Sequence, residues 1–308
     1  MTGGSGPMAP DLLRRAELAV TRRVHGLREG DHLALLAGPG IEAGEARLYG
    51  PGDDVRRIDW TVTARTGVPH LRDATAEREL DVVALVDLSA SLDFGTAGWR
   101  KLDLALAVLA GLGSLATHGH DRLGAVLLTG TGPLVVPVRA GRTHLASLLA
   151  RAEAAPVEGT TDLAGGIERL GLLARRRGLA VIISDFLGPT TWERAVARLA
   201  QRHDTLAIEL VDPRELRLPN VGFLTVVDAE TGRRRTVDTA RRDVRAAFAA
   251  GATARAEDVA AGLGRAGASH LRLSTDRDWV GPLVRFLDQR RRARTVGRRA
   301  GAPAGGIR

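Results

Sequence analysis

Residues 81–88 read DVVALVDL. This is an apolar, β-branched run with no helical period, bounded by aspartates. Such a run fits a strand buried on both faces, as in a parallel sheet. Parallel neighbours need crossover helices, so helical patterns should flank it. They do. A helical stretch covers 101–117, and the runs 122–129 and 134–139, split by GTGP, predict a hairpin. Helical patterns follow at 143–153 and 163–177, then a second buried strand, LAVIIS, at 179–184. A helix at 191–202, a strand at 206–211, a helix at 240–261, a strand at 269–274 and a helix at 278–293 complete the alternation. Phe223–Val227 and Arg234–Val237 flank DAETG and predict an inserted hairpin within about 220–239. Strands alternating with helices predict an α/β fold: a doubly wound, mainly parallel sheet with helices on both faces.

Upstream the rhythm differs. Residues 1–28 predict a disordered start and an arginine-rich surface helix. Residues 29–78 mix short apolar pieces with Gly, Pro and Asp, and predict a small β-rich segment of short strands and turns. The main domain spans 79–294, and 295–308 is a Gly, Ala and Arg tail expected to be disordered.

Composition narrows the function classes. The 308 residues are 44% hydrophobic but only 3% aromatic, so the core must be built from Leu, Val, Ile and Ala. With no cysteine, disulfides, thiolate metal sites and Cys nucleophiles are excluded. The start, MTGGSGPMAPDLLRR, lacks the apolar core of a signal peptide. The most apolar helical stretch, 102–117, carries Asp103, so no membrane span is expected and a cytoplasmic location is. The net charge of +8 is concentrated between Arg285 and Arg308, where eight arginines face one acid. That tail could meet nucleic acid, but it has one phenylalanine and no base-reading apparatus, so nucleic acid is not expected as a partner.

In a doubly wound sheet, ligands bind beyond the carboxyl ends of the strands. Asp87-Leu88-Ser89-Ala90-Ser91 ends the first buried strand, Asp185 ends LAVIIS, and Thr160 and Thr161 sit in a loop opening a helix. All three places fall on one predicted edge. Two carboxylates and several hydroxyls are the donors a hard cation such as Mg²⁺ takes. Neutral hydroxyls would leave the ion short of negative charge, with room for a carboxylate from another protein. The competing expectation is that Ser89 and Ser91 cap a turn while Asp87 accepts backbone N–H groups.

These elements resemble the metal-ion-dependent adhesion site of von Willebrand factor A domains. The resemblance implies Asp87, Ser89 and Ser91 as the first ligand set, Thr161 (or Thr160) as the second and Asp185 as the third. It implies Mg²⁺, or Mn²⁺ or Ca²⁺, and no nucleotide. The usual third motif is Asp-Gly, whereas Phe186 follows Asp185 here.

A second set lies upstream: Tyr49, Gly52, Asp53, Asp54, Arg56, Asp59, Trp60 and Arg65, within YGPGDDVRRIDW and ARTG. Two readings stay open, a structural clip made of turns and Asp–Arg pairs, and a docking surface. Together with VDPRELRLP at 211–219 and DAETG at 228–232, this string resembles the DUF58 family. The resemblance covers about residues 30–290. It implies a partner of a MoxR-type AAA+ ATPase, acting as an adaptor or chaperone component on client proteins, and no enzyme. The alternatives are a metal-dependent hydrolase, with Asp93 the nearest base, or nucleic-acid binding through the tail.

Other signals carry less. Gly262, Gly264 and Gly267 fit G-x-G-x-x-G but end a helix before a strand, the wrong order for a dinucleotide site. Lys101 follows no glycine-rich loop, so no ATP site is expected. His118 and His120 precede a strand and fall on the edge opposite Asp87, which suits a solvated turn.

Overall fold

The computed structural model describes residues 46–50, 53–58, 60–72, 80–227 and 232–300. Its elements begin with β1 (Ala46–Leu48), α1 (Trp60–Thr66) and β2 (His70–Arg72). The main domain follows with β3 (Asp81–Asp87), α2 (Lys101–His118), β4 (Arg122–Thr129), β5 (Gly132–Ala140), α3 (Arg142–Ala154) and α4 (Leu163–Leu173). Next come β6 (Leu179–Ser184), α5 (Trp192–Arg202), β7 (Asp204–Val211) and the single turn α6 (Pro213–Leu216). A separate hairpin, β8 (Phe223–Val227) and β9 (Arg234–Asp238), leads into α7 (Arg242–Arg265), β10 (Ser269–Ser274) and α8 (Val280–Ala300).

Six strands form the central sheet in the order β10-β7-β6-β3-β4-β5. All pairs are parallel except β4 with β5, where the predicted hairpin supplies an antiparallel edge. The fold is therefore α/β, doubly wound and mainly parallel, as the alternation predicts. β3 lies between β6 and β4, which explains why all seven of its residues are buried. Val82, Ala84 and Val86 face one core layer, with Leu104, Leu148 and Leu283. Val83 and Leu85 face the other, with Ile167, Trp192, Val196 and Leu263. Each of these Val, Leu and Ile side chains contributes roughly 1.5–3 kcal/mol by leaving water. α2 is buried almost all round from Lys101 to Ala116, which accounts for its lack of a polar face.

The winding reverses between β3 and β6. The chain runs from β3 outward to β4 and β5, then returns to β6 on the other side. This opens a crevice beyond the carboxyl ends of β3 and β6, where an open sheet takes ligands.

Several expectations need amending. The described residues of the segment before the domain include a helix beside the expected strands. They form a two-stranded antiparallel sheet and also the helix α1, whose WTVTART sequence looks strand-like by composition. Tertiary context overrides that weak preference. The helix expected over 163–177 stops at Leu173. The last helix runs to Ala300, past the point where the tail was expected to begin. Its Arg and Ala residues are strong helix formers. The expected helix in 1–28 and the tail beyond residue 300 lie outside the described residues. Gly267, at φ 78°, ends α7, and His120, at φ 58°, turns the chain into β4, so both motifs serve chain reversal. Among the described residues no helix is long and apolar enough to cross a membrane.

Candidate metal centre

Asp87 is the last residue of β3, so the sheet itself aims its carboxylate into the crevice. The strand ladder continues one residue further, with Leu88 N–H donating to Leu128 O at 2.8 Å. The chain then turns into a short 3-10 helix, Ala90–Leu92. Ser89 N–H donates to Asp87 Oδ1 at 3.0 Å, closing an Asx turn. That turn brings Ser89 and Ser91 to the same side, their hydroxyl oxygens 3.0 Å apart. Both serines and Asp87 are buried.

The threonine loop arrives from the other side of the crevice. Ala90 N–H donates to Gly159 O at 3.1 Å, tying the two loops together. Gly130 allows the close approach, since a Cβ there would lie 2.0 Å from Glu158 O. Thr161 Oγ1 then donates to Asp87 Oδ1 at 3.0 Å. Thr160 is exposed, so Thr161 is the residue that joins the cluster. An open groove of about 770 Å³ adjoins it, lined in part by Gly130, Thr161, Arg169 and Leu172.

Ser184, the end of β6, completes the surroundings of Asp87. Its hydroxyl donates to Asp87 Oδ2 at 2.8 Å and accepts Phe186 N–H at 3.0 Å. Sequence reasoning missed Ser184. The available signal was a single polar residue closing an otherwise apolar strand.

Asp185 behaves differently. Its Oδ2 accepts a hydrogen bond from Lys101 Nζ at 2.7 Å, and its Oδ1 accepts Leu187 N–H at 3.1 Å. Phe186 has φ 51°, the left-handed region that a glycine would enter without cost. The sharp turn that an Asp-Gly pair makes is thus made here by Asp-Phe. The burial of Phe186 against Trp192, ring centroids 5.3 Å apart, offsets the strain.

Lys101, the chain's sole lysine, is fully buried at the amino end of α2. Besides Asp185 it donates to Glu215 Oε1 at 2.5 Å. Glu215 Oε2 in turn accepts Asp212 N–H at 2.9 Å, capping α6. Asp212 accepts from Thr96 N–H at 2.8 Å, Thr96 Oγ1 at 2.5 Å and Thr275 Oγ1 at 2.7 Å. The VDPREL segment is therefore a clamp. It fixes the loop after Ser91 through Thr96 and the edge of β10 through Thr275.

Electrostatics separate these acids. Burial pushes the Asp87 carboxyl up from its ordinary range, and the nearby charge of Asp185 adds to this against the hydrogen bonds from Ser184 and Ser89. Burial likewise raises Glu215, against the pull of Lys101. Asp212 is held down because its hydrogen bonds outweigh burial. Burial would lower Lys101, yet Asp185 and Glu215 together keep it above the ordinary lysine value.

The donors fit a hard cation. Asp87 is a buried carboxylate with hydroxyl neighbours and no cationic side chain among its hydrogen-bond partners. A cation would offset the cost of keeping it charged. Among the described residues no three Asp, Glu or His side chains gather as an ion site. Any ion here would rest on hydroxyls around Asp87, oxygen donors of the kind Mg²⁺, Mn²⁺ or Ca²⁺ take.

The upstream signature residues make local bonds. Tyr49 N–H donates to Pro69 O at 2.9 Å, Asp53 accepts Gly50 N–H at 2.9 Å, and Asp54 caps a 3-10 turn through Arg56 N–H at 2.9 Å. Trp60 is 70% exposed, and Arg65 is exposed in the last turn of α1. Gly52 and Asp59 lie outside the described residues.

The family described as "Protein of unknown function DUF58" matches residues 45–258. The chain belongs to the DUF58 family. This DUF58 chain is 48% identical over 296 residues to uncharacterized protein Rv1480 of Mycobacterium tuberculosis, covering 94% of this chain and 92% of that one. It is 47% identical over 168 residues to uncharacterized protein MAV169 of Mycobacterium avium, covering 53% of this chain and 98% of that one. Among solved structures it is similar to BatB from Bacteroides thetaiotaomicron, at 12% identity and a TM-score of 0.45, covering 70% of this chain and 99% of that one. It is also similar to the SpRpn10 VWA domain, at 13% identity and a TM-score of 0.38, covering 67% and 94%.

Proposed function

We propose that this DUF58 protein is a divalent-cation-dependent protein-interaction module. The observation that carries the reading is the convergence of Asp87, Ser89, Ser91 and Thr161 at the sheet's switch point. Asp87, Ser89 and Ser91 would hold Mg²⁺, with Thr161 adding a hydroxyl and Asp185, already paired with Lys101, acting at most through water. A bound ion supplies positive charge that a carboxylate on a partner can meet. The protein's own residues hold the oxygens together and keep water from the buried side of the site.

Binding is favoured over hydrolysis. Asp93, the nearest candidate base, pairs with Arg100 Nη1 at 2.6 Å and is half exposed. A hydrolytic base needs a free acceptor facing the reacting water. The partner proposed from the family resemblance is a MoxR-type AAA+ ATPase, with client proteins as the further targets.

The test is capture of a purified MoxR-type ATPase, from the same organism as the chain, by wild-type protein and by Asp87→Ala. Capture in Mg²⁺ that is lost in chelator, and lost in the variant, supports the reading. Equal capture under all conditions overturns it.

A further inference from the structure

Buried charged side chains gather around the crevice. Asp87, Asp185 and Asp212 are buried carboxylates, Glu215 is partly buried, and Lys101 brings one ammonium. The ammonium is placed to neutralise Asp185, holding Oδ2 at 2.7 Å while Leu187 N–H holds Oδ1, whereas the donors to Asp87 are all uncharged. Lys101 is itself fixed. It sits at the first turn of a helix buried on nearly every side, and its second acceptor, Glu215, is locked by the α6 cap. Among the described residues it is the one buried Lys or Arg, in a chain that otherwise uses arginine throughout.

We infer that Lys101 is a built-in counter-cation that reserves Asp185, leaving the divalent ion to Asp87 and the hydroxyls and so setting the site's ion affinity low. This rests on the metal reading above and deepens it. An ion with one carboxylate keeps more of its charge for a carboxylate from outside. An ion with two carboxylates is held more tightly and attracts such a partner less, since ligand charge count tunes affinity. Lys101 touches neither ion nor partner. It is a positioning residue that acts through Asp185.

The test measures Mn²⁺ binding to the full chain by calorimetry and by water-proton relaxation, with folding followed by circular dichroism. Lys101→Met/Glu215→Gln removes the ammonium and its second acceptor together, so that no extra buried charge is left behind. This variant should bind Mn²⁺ about tenfold more tightly or better, because Asp185 is released to the ion. Asp185→Asn in the wild-type background, the more conservative change, should weaken Mn²⁺ binding by no more than about threefold, while Asp87→Asn abolishes it. Unchanged or weaker binding by the double variant overturns the inference. So does a loss in Asp185→Asn as large as that in Asp87→Asn, and this decides the matter should the double variant not fold. If wild-type protein binds no Mn²⁺ and Asp87→Asn is indistinguishable from it, the metal reading falls and the inference with it. Binding that depends on Asp87 but ignores Lys101 sinks the lysine's role alone.

Discussion

Thr161 Oγ1 and Ser184 Oγ donate to opposite oxygens of one carboxylate, Asp87, at 3.0 and 2.8 Å. The two hydroxyls come from different sides of β3 and are 23 positions apart in the chain. Asp87 is thus oriented by the sheet and by both flanking loops.

From this follows the first prediction. Asp87→Asn keeps the side chain's shape and most of its hydrogen bonds while removing the buried charge. Ion-free stability should change by no more than about 1 kcal/mol, since one neutral hydrogen bond is worth that much. Mg²⁺ or Mn²⁺ should raise the melting temperature of wild-type protein and leave that of the variant unmoved. Differential scanning calorimetry with and without ion checks both halves.

Gly130 gives a way to disturb the site without touching a donor. A methyl group at this position would stand 2.0 Å from the Glu158 carbonyl. Gly130→Ala must push the 158–161 loop away from β4, carrying Thr161 off Asp87. Such overpacking costs about 1–3 kcal/mol, and ion binding should weaken with it. Urea denaturation alongside Mn²⁺ titration would show the two effects together; a variant matching wild type in both would refute the close-approach argument.

At Phe186 the usual order of small residues should invert. Phe186→Ala deletes a buried ring packed on Trp192 and should cost about 3–5 kcal/mol. Phe186→Gly deletes one atom more, yet it relieves the left-handed conformation at φ 51°. That relief is worth about 1 kcal/mol or more. Glycine should therefore be the more stable of the two, by equilibrium unfolding.

His203 predicts a pH dependence. It is buried, neither ring nitrogen has a hydrogen-bond partner among the described residues, and burial together with Arg202 and Arg177 lowers its pKa. The unfolded chain then binds the proton more readily than the folded one. The stability this residue allows is complete above its unfolded pKa, near 6.5, and is lost as pH falls below that value toward the lower folded one. His203→Leu should flatten that part of the stability curve in urea melts collected at successive pH values.

The two buried strands announced the architecture because their apolar runs carry no alternation, and such runs fit only a sheet covered on both sides. LAVIIS and SHLRLS keep the predicted bounds to the residue, at 179–184 and 269–274. The site was legible where motif spacing is local: Asp87, Ser89 and Ser91 share one turn. Thr161 was legible because it stands just before a helix. Lys101, Ser184 and Asp212 were not, since each gains its meaning from a partner more than eighty residues away in sequence or from the register of two strands. Helix α1 was hidden because its Thr, Val and Trp residues favour strands in isolation.

Val86 lies level with Ile183 across β3 and β6, which sets Asp87 and Ser184 side by side as the last rung of the ladder. A slip of either strand by one place would put an aliphatic side chain at that rung and turn the aspartate toward the other face. If the proposed site takes up an ion, uptake would also be a ruler for strand alignment, and a refolded preparation with native helix content but mispaired central strands would betray itself by failing to take up Mn²⁺.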